Sequence, residues 1–433
     1  MQLSKLNITA ALAAASCALI AGPSHADTAQ KESLIEGWEF NSAFLFYKET
    51  DRVQAAEAIL AGRGDFGDDK FLNLNLVVDT LTGASATGAV AQPYAQSFTR
   101  PSGEGSYTTA AGETPLDDTF HDTRVQLDAS WEQPIAQNLK ATGGGHLSKE
   151  YDYLSLGVNG SLAWDLNNKN TTLSVGSSFS QDTITPEGGI PSAFTPMLFK
   201  NNFANEKAYE AAFNQSRATD SDNKTTAELL LGATQVISKD WLMQFNYSWS
   251  QADGYMSDPF KVLSVVNTQG LTQQNLYEQR PEERNKQSIY WQNKVHMAGT
   301  YLDLSYRYMW DDWSVKSHTV DSRWRFPVSN NWYIEPHVRF YQQSAADFYK
   351  PFLMQGEAFP QFASADYRIG EMDAQTYGVK VGTVLAGGHD LGVRLEYYQQ
   401  NPTNPGVELP GALKDVDLFP SVKAVMLQVS YSF

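Results

Sequence analysis

Apolar and polar residues alternate with a period of two along much of this chain. Across residues 241–250 every odd position is aromatic or apolar, and the positions between them are mainly polar. The same alternation recurs at 72–79, 124–131, 302–310 and 332–340. Successive side chains of a β-strand point to opposite faces, so each segment predicts a strand with one apolar and one mostly polar face. The segments are about ten residues long, the length that a tilted strand needs to cross a bilayer.

The alternation, taken together with the turn residues, predicts about sixteen antiparallel strands. They are 38–49, 51–61, 70–81, 121–132, 138–150, 152–165, 170–182, 223–237, 240–251, 286–297, 300–311, 313–326, 332–343, 366–385, 390–400 and 421–433. Tight turns rich in Asn, Gly, Pro or Asp are predicted at 133–137, 166–169, 238–239, 327–331 and 386–389. Long polar loops are predicted at 82–120, 183–222, 252–285, 344–365 and 401–420. Alternating tight and long connections favour an all-β, transmembrane up-and-down β-barrel over a secreted sandwich, whose strands are shorter, and place both chain ends in the periplasm.

The N-terminal segment has the pattern of a targeting sequence. Residues 1–26 combine Lys5, an apolar run at 8–21 and the small-x-small sequence Ser24-His25-Ala26. This combination predicts a secretory signal peptide, followed by a single barrel domain over 27–433.

Composition excludes several other classes of protein. Hydrophobic residues make up 42% of the chain and charged residues 19%, which argues against a disordered protein. No stretch after the signal peptide is apolar for long enough to form a transmembrane helix. The net charge of -17 argues against a nucleic-acid partner. The single cysteine, Cys17, lies in the predicted signal peptide, so we expect no disulfide and no thiolate ligand in the barrel.

The C-terminal segment carries the most specific pattern in the chain. Apolar residues occupy every second position from Val425 to Phe433. This resembles the C-terminal assembly signal of bacterial outer-membrane barrels. We therefore expect the protein in the cell outer membrane, in contact with lipid and lipopolysaccharide, with Phe433 recognised by the barrel-assembly machinery.

Two motifs in the N-terminal third resemble those of a known family. They are Phe46 to Val53, which contains Asp51-Arg52-Val53, and Asp79 to Ala89, with the sequence DTLTGASATGA. Together they are similar to a proteobacterial outer-membrane family known mainly as a domain of unknown function. The resemblance implies a barrel without catalytic residues. Because genes of the family lie near those of a small lipoprotein and a periplasmic flavin-attaching enzyme, it also implies a periplasmic lipoprotein or redox component as a partner.

The polar residues of these motifs are expected at the outer rim of the barrel. The set is Glu49, Asp51, Arg52, Asp79, Thr82, Gly83 and Ser85. Adjacent strands lie about 4.8 Å apart, so Arg52 could pair with Asp79 or Glu49. Two interpretations stay open: an ion pair that closes the first hairpins, which we favour, or the rim of a ligand or ion site.

Two further groups of residues are weak candidates for chemistry. Asp117, Asp118, His121 and Asp122 are dense enough to suggest a divalent cation. They lie where a strand begins, however, and alternate side chains of a strand point apart, so we expect no metal site. His146 and Ser148 are the nearest pair that a surface hydrolase could use. An isolated pair at this spacing lacks the supporting residues that nucleophilic catalysis needs, so we expect neither an enzyme nor a cofactor.

Charged residues of both signs fall on the predicted inward face of the strands. The candidate lumen residues are Arg124, Asp128, Asp303, Arg307, Glu335, Arg339, Arg394 and Glu396. A mixed-charge wall predicts a polar lumen, and a barrel of this size is wide enough for water unless loops fill it. The loop at 183–222, which contains Phe194, Phe199 and Phe203, is the candidate to fold inward. The sequence therefore favours a porin-like channel for small polar solutes, with a non-conducting accessory barrel as the alternative.

Overall fold

The computed structural model describes residues 37–433, so the predicted signal peptide lies outside the described residues. Within this range no helix is both long and apolar enough to span a bilayer. The strands, in chain order, are β1 (Trp38–Glu49), β2 (Val53–Asp65), β3 (Phe71–Ala86), β4 (Gln96–Thr99), β5 (Ser106–Thr109), β6 (Leu116–Ala136), β7 (Leu139–Lys149), β8 (Tyr153–Leu166), β9 (Thr171–Ile184), β10 (Ile190–Pro191), β11 (Arg217–Thr219), β12 (Asp222–Ser238), β13 (Trp241–Gly254), β14 (Val262–Val266), β15 (Thr272–Tyr277), β16 (Glu283–Met297), β17 (Thr300–Asp311), β18 (Lys316–Pro327), β19 (Trp332–Gln343), β20 (Leu353–Met354), β21 (Met372–Val384), β22 (Asp390–Pro402) and β23 (Val422–Ser432). The helices are α1 (Glu206–Gln215) and three short 3-10 turns at Lys200–Asn202, Tyr367–Ile369 and Gly411–Asp415.

Sixteen of these strands close into one antiparallel barrel, as the sequence predicts. Their order around the barrel is β1-β2-β3-β6-β7-β8-β9-β12-β13-β16-β17-β18-β19-β21-β22-β23. Strand β23 pairs with β1 and completes the ring. At this seam the Phe40 amide donates to the Phe433 carbonyl at 2.8 Å, the Phe433 amide donates back at 2.9 Å, and the two rings stack at 5.4 Å. Neighbouring strands are joined by hairpins, so this is an up-and-down barrel.

The outer wall is apolar and the inner wall is polar, the reverse of a soluble barrel. On β19, Ile334 and Phe340 are 40% and 47% exposed on the outside, whereas the inward Glu335 and His337 are 7% and 5% exposed. Large aromatic side chains also lie exposed at the strand ends, as at Trp332. An apolar outer band bordered by aromatic residues is the surface that a barrel presents to lipid. The protein is therefore an outer-membrane β-barrel.

Some predicted strand ends are displaced by several residues. Strand β3 continues to Ala86 and β6 begins at Leu116, because their pairing resumes beyond a β-bulge between Gly83 and Ser85. The predicted turn at 133–137 is shorter, since β6 runs to Ala136. The strand predicted from residue 366 begins at Met372, after a 3-10 turn.

The five long loops fold together over the outer ends of the strands. We call this the loop cap; it comprises residues 87–115, 185–221, 255–282, 344–371 and 403–421. It contains three small sheets, β4-β5, β10-β11 and β15-β14-β20. Four of the loops share buried apolar clusters, which contain Phe98, Val262, Leu263, Val266, Leu276, Leu353 and Leu413. The prediction that 183–222 alone folds inward is therefore too narrow, although its Phe194 does pack against this core.

Candidate functional site

The structure places all eight candidate lumen residues on the inward face of the wall. Register and alternation put each of them on the face opposite the exposed apolar side chains of its own strand. Six of the eight are held by partners on neighbouring positions. The sequence could predict that they face inward, but not which residues they bind.

Three of the paired residues are held by neighbouring strands. Arg124 Nε donates to Asp79 Oδ2 at 2.6 Å. Asp128 Oδ1 lies 2.7 Å from His146 Nδ1. Asp303 Oδ1 accepts from the Gln292 side-chain amide at 2.7 Å. These charges are neutralised or solvated by the protein itself.

The remaining three form one network on the inner wall between β18 and β22. Glu335 accepts from Arg325 Nε at 2.9 Å and from Arg394 Nη2 at 3.2 Å. Glu396 Oε1 lies 2.7 Å from His337 Nδ1. Four strands, β18, β19, β21 and β22, lie in succession here, so the network stiffens this part of the wall.

Arg307 and Arg339 are different from the other six. Arg307 Nε lies 3.4 Å from the Ser288 hydroxyl, a long and neutral contact. Arg339 is exposed to the lumen. Within residues 37–433 neither guanidinium has a carboxylate within 4.0 Å. The described part of the lumen thus carries two neighbouring guanidinium groups that have no direct salt bridge.

The outer-rim motif joins the wall to the loop cap. Asp79 binds Arg124 and not Arg52, because the strand register places it directly opposite Arg124. Arg52 instead lies with its guanidinium 5.5 Å from the centre of the Tyr367 ring, which belongs to the cap. A cavity of about 60 Å³ between them is also lined by Ala86. That volume holds a few water molecules and no organic ligand.

Glu49 and Asp51 lie at the hairpin between β1 and β2. Asp51 adopts a φ of 56° in the tight turn. Glu49 is buried, and its Oε1 accepts a hydrogen bond from the Tyr47 hydroxyl at 2.6 Å. Both residues therefore have local roles at the end of this hairpin.

The small residues of the second motif lie at the junction between the barrel wall and the loop cap. Thr82 accepts a hydrogen bond from the Gln54 side chain at 3.3 Å. Gly83 has a φ of 128°, and a Cβ there would lie 2.5 Å from the Arg52 carbonyl oxygen. The buried ammonium of Lys261 lies 3.4 Å from the Ser85 hydroxyl. The motif thus joins the first strands to the loop cap, but Asp79 pairs with Arg124 and not with Arg52.

A buried ionic cluster lies inside the loop cap, and sequence analysis missed it. Arg280 donates to Glu278 at 2.6 Å and to Asp366 at 2.8 Å. Arg368 donates to Asp366 through Nε at 2.8 Å and to Asp258 through Nη2 at 2.7 Å. The cluster joins the loop 255–282 to the loop 344–371. Only the apolar run at Val262–Val266 could have indicated that these polar loops are packed.

Electrostatics hold two carboxylates of this cluster in their charged form. Burial disfavours the charged form of Asp258, but Lys261 and Arg368 more than offset this and lower its pKa to about 2. Burial acts in the same way on Asp366, yet Arg368 and Arg280 hold its pKa well below the usual range. Asp258 and Asp366 are therefore ionised and paired at neutral pH, whereas burial raises the pKa of Glu278.

The four residues suggested for a cation do not come together. Asp118 pairs with Arg100 at 3.6 Å, and His121 and Asp122 lie on opposite faces of β6. Among the described residues, the acids that do converge are Asp122, Glu150 and Asp152, whose oxygens lie within 4.8 Å of one another. This is an acidic contact at a short outer loop.

His146 and Ser148 do not form a hydrolase site in the described structure. His146 is bound to Asp128, and Ser148 is buried in the wall. No hydrogen bond joins the two side chains within the described residues.

The acidic contact at the outer loop predicts a stability that falls with rising pH. Burial, together with Asp122, raises the pKa of Glu150 to about 8 and that of Asp152 to about 6. A raised carboxyl pKa stabilises the fold below the unfolded value near 4, and this contribution is lost as pH rises through the folded value. We expect the thermal midpoint of the wild type to decrease between about pH 4 and pH 8, and Glu150→Gln to flatten this slope.

The measurement is the unfolding midpoint across that pH range. Asp68→Asn removes a carboxylate that is 87% exposed in a periplasmic turn, and it controls for net charge. Equal slopes for wild type and Glu150→Gln would contradict the prediction.

A family model described as "Protein of unknown function (DUF3570)" matches residues 9–433, which confirms the resemblance to a family of unknown function. A search of curated proteins found no match. The match covers nearly the whole chain, and the description of the family records no activity.

Several solved barrels are similar in fold. A bacterial polysaccharide outer membrane secretin has 9% identity and a TM-score of 0.42, with 93% of this chain and 100% of that chain covered. The outer membrane protein opdK from Pseudomonas aeruginosa has 9% identity and a TM-score of 0.39, with 92% and 98% covered. OccK9 (OpdG) from the same organism has 10% identity and a TM-score of 0.41, with 93% and 100% covered. At these identities none of their activities transfers to this chain.

Proposed function

We propose that this chain, which belongs to the DUF3570 family of proteins of unknown function, is a gated outer-membrane channel for small polar solutes. The barrel supplies the pore, and the loop cap supplies the gate. The structure described above corresponds to the closed form.

The polar inner wall carries this proposal. Inward polar side chains such as Asp128, Asp303 and Arg325 are 31%, 31% and 40% exposed. Charged groups are costly to bury unless they are paired, and accessible ones are solvated by water. A sixteen-stranded barrel is wide enough to hold an aqueous column. A polar, hydrated wall suits the passage of polar solutes and does not suit apolar cargo.

Exposure of the inward residues indicates which end is closed. Glu39, Asn41 and Asp65 face inward at the periplasmic end and are exposed. Glu49 and Gln343 face inward at the outer end and are buried, and Gln343 donates to the cap carbonyl of Gly370 at 2.7 Å. Water therefore reaches the lumen from the periplasm, and the cap lies over the outer mouth.

Conductance in planar bilayers tests the proposal. The wild type is expected to show rare, voltage-dependent openings because the cap is packed. A variant with a loosened cap, Arg280→Gln, is expected to show frequent and larger openings. Absence of conductance in both proteins, at all voltages and pH values tested, would overturn the channel assignment.

The packed cap favours one second candidate, a closed accessory barrel. Such a barrel would use its periplasmic turns to hold a partner, which we propose to be a small lipoprotein or a redox component. Photo-crosslinkers at the exposed turn residues Asp68 and Lys239 would then capture one specific periplasmic protein. Capture of no specific protein would count against this candidate.

A further inference from the structure

We propose that Arg307 and Arg339 form a binding site for small anions in the lumen, specific for solutes with a carboxylate or phosphate group. This inference rests on the proposed channel function, because it names the class of solute that the pore would select. It concerns two residues of the inner wall and no residue of the cap.

The two arginines are neighbours across a single strand. Arg307 on β17 pairs in register with Thr319 on β18, and Thr319 pairs with Tyr341 on β19. Arg339 lies two residues before Tyr341 on the same inward face. The guanidinium groups are close enough for their charges to interact. Two like charges held together create a local positive potential that attracts an anion.

The nearest acid, Asp321, is engaged by other partners and forms no direct salt bridge with this pair. Asp321 lies directly opposite Arg339 in the ladder. Its Oδ2 lies 2.9 Å from His337 Nε2, and its Oδ1 lies 3.7 Å from Arg323. The wall therefore leaves the forks of Arg307 and Arg339 available to a ligand.

The surroundings supply hydroxyl groups and aromatic faces. Tyr290 lies directly opposite Arg307 in the ladder. The hydroxyl of Ser288 lies 3.4 Å from Arg307 Nε and 2.7 Å from the Ser248 hydroxyl. The Tyr341 hydroxyl donates to Gln343 at 2.6 Å, which fixes the ring on the same side of the lumen. Guanidinium forks bind planar carboxylates and phosphates with two parallel hydrogen bonds, so the pair is suited to oxyanions.

The site is reachable from water in the closed form. Arg339 is an exposed inward residue, although many of the inward residues nearer the cap are buried. An anion that enters from the periplasmic end would therefore reach the pair without passing the cap. Anion binding can therefore be measured in the closed protein, separately from conduction.

Two assays test the site. The first is calorimetric titration of the full-length protein in detergent with inorganic phosphate and, separately, with acetate. Arg307→Gln/Arg339→Gln is expected to weaken the binding of both probes by about tenfold or more, since charge-assisted hydrogen bonds are lost. Arg325→Gln is the matched control, because Arg325 also faces inward and is 40% exposed but is paired with Glu335. It is expected to bind both probes as the wild type does.

The second assay is the reversal potential in a potassium chloride gradient, measured on the Arg280→Gln background. We expect chloride preference to fall in the double glutamine variant and to be retained in Arg339→Lys. If no protein conducts but phosphate binding depends on the two arginines, the channel fails and the site stands. If conduction is present while neither selectivity nor binding changes in the double variant, the channel stands and the site is overturned.

Discussion

Arg280→Gln is expected to open the loop cap while the barrel stays folded. The substitution leaves Glu278 buried without its guanidinium partner, whereas Asp366 keeps its ion pair with Arg368. Removing one partner of a buried ion pair costs about 3–5 kcal/mol, because an uncompensated charge remains. The barrel keeps its closed hydrogen-bonded ring, so the loss is confined to the cap. Hydrogen exchange at the amides of β14 and β15 should accelerate by about 10²- to 10³-fold, which corresponds to that energy.

Lys200→Gln is the matched control for this experiment. Lys200 pairs with Glu206 on the same cap, but both side chains are more than half exposed. Exposed ion pairs contribute little, so exchange at β14 and β15 should be unchanged. Equal exchange in Arg280→Gln and wild type would show that the ionic cluster does not hold the cap closed.

Gly88→Ala is expected to open the loop cap to a comparable extent, because the added Cβ would overlap with the backbone. Gly88 has a φ of 93°, and a Cβ there would lie 2.6 Å from the Val262 carbonyl oxygen. The obstacle is main chain, so no side-chain rotation relieves it, and the two loops must separate. Overpacking of this kind costs about 1–3 kcal/mol, in addition to the strain of a positive φ in alanine. The amide of Val262, which donates to the Thr87 carbonyl at 2.9 Å, should lose protection first.

Gly112→Ala separates the two contributions. Gly112 lies in the same loop with a φ of 78°, and its Cβ would meet no atom within 4 Å. Gly112→Ala therefore has the cost of a positive φ in alanine but no steric overlap. Exchange at Val262 should therefore rise far more in Gly88→Ala than in Gly112→Ala, and similar rates in the two variants would refute the packing argument.

The strands of the barrel were predictable because the alternation that defines each strand is local in sequence. Each strand alternates between lipid and lumen, so a pattern such as that of 241–250 identifies both the strand and its outward face. Errors arose where pairing continues through polar residues, as beyond the bulge at Gly83. There the ladder is held by hydrogen bonds to the neighbouring strand, and the sequence of one strand does not show them.

The loop cap was not predictable from the same pattern. Its core residues, such as Leu263 and Leu353, lie in loops that are mainly polar and distant in sequence. Their burial depends on loops that meet only after the barrel has brought their ends together. The expected partner of Arg52 was wrong for a similar reason, because register and not proximity in sequence assigned Asp79 to Arg124.

The sequence predicted which side chains face the lumen, but not which of them are paired. Alternation placed Arg307 and Arg394 on the inner wall equally well. Only the structure distinguishes them, since Arg394 binds Glu335 across strand β21 and Arg307 binds no acid among the described residues. In the proposed channel, selectivity is expected to depend on which charges remain unpaired and not on how many face inward.

The parallel pairing of β14 with β20 implies an order of assembly. Val265 lies beside Leu353, yet four barrel strands, β16 to β19, separate them along the chain. Closing so long a loop costs entropy that the two residue pairs between these strands do not offset, so we expect the cap to form after the barrel ring. Until then the run Val262–Val266 has an unpaired edge, and such apolar segments are prone to aggregate. Slow barrel closure would therefore prolong the period in which this segment is vulnerable to misassociation and proteolysis.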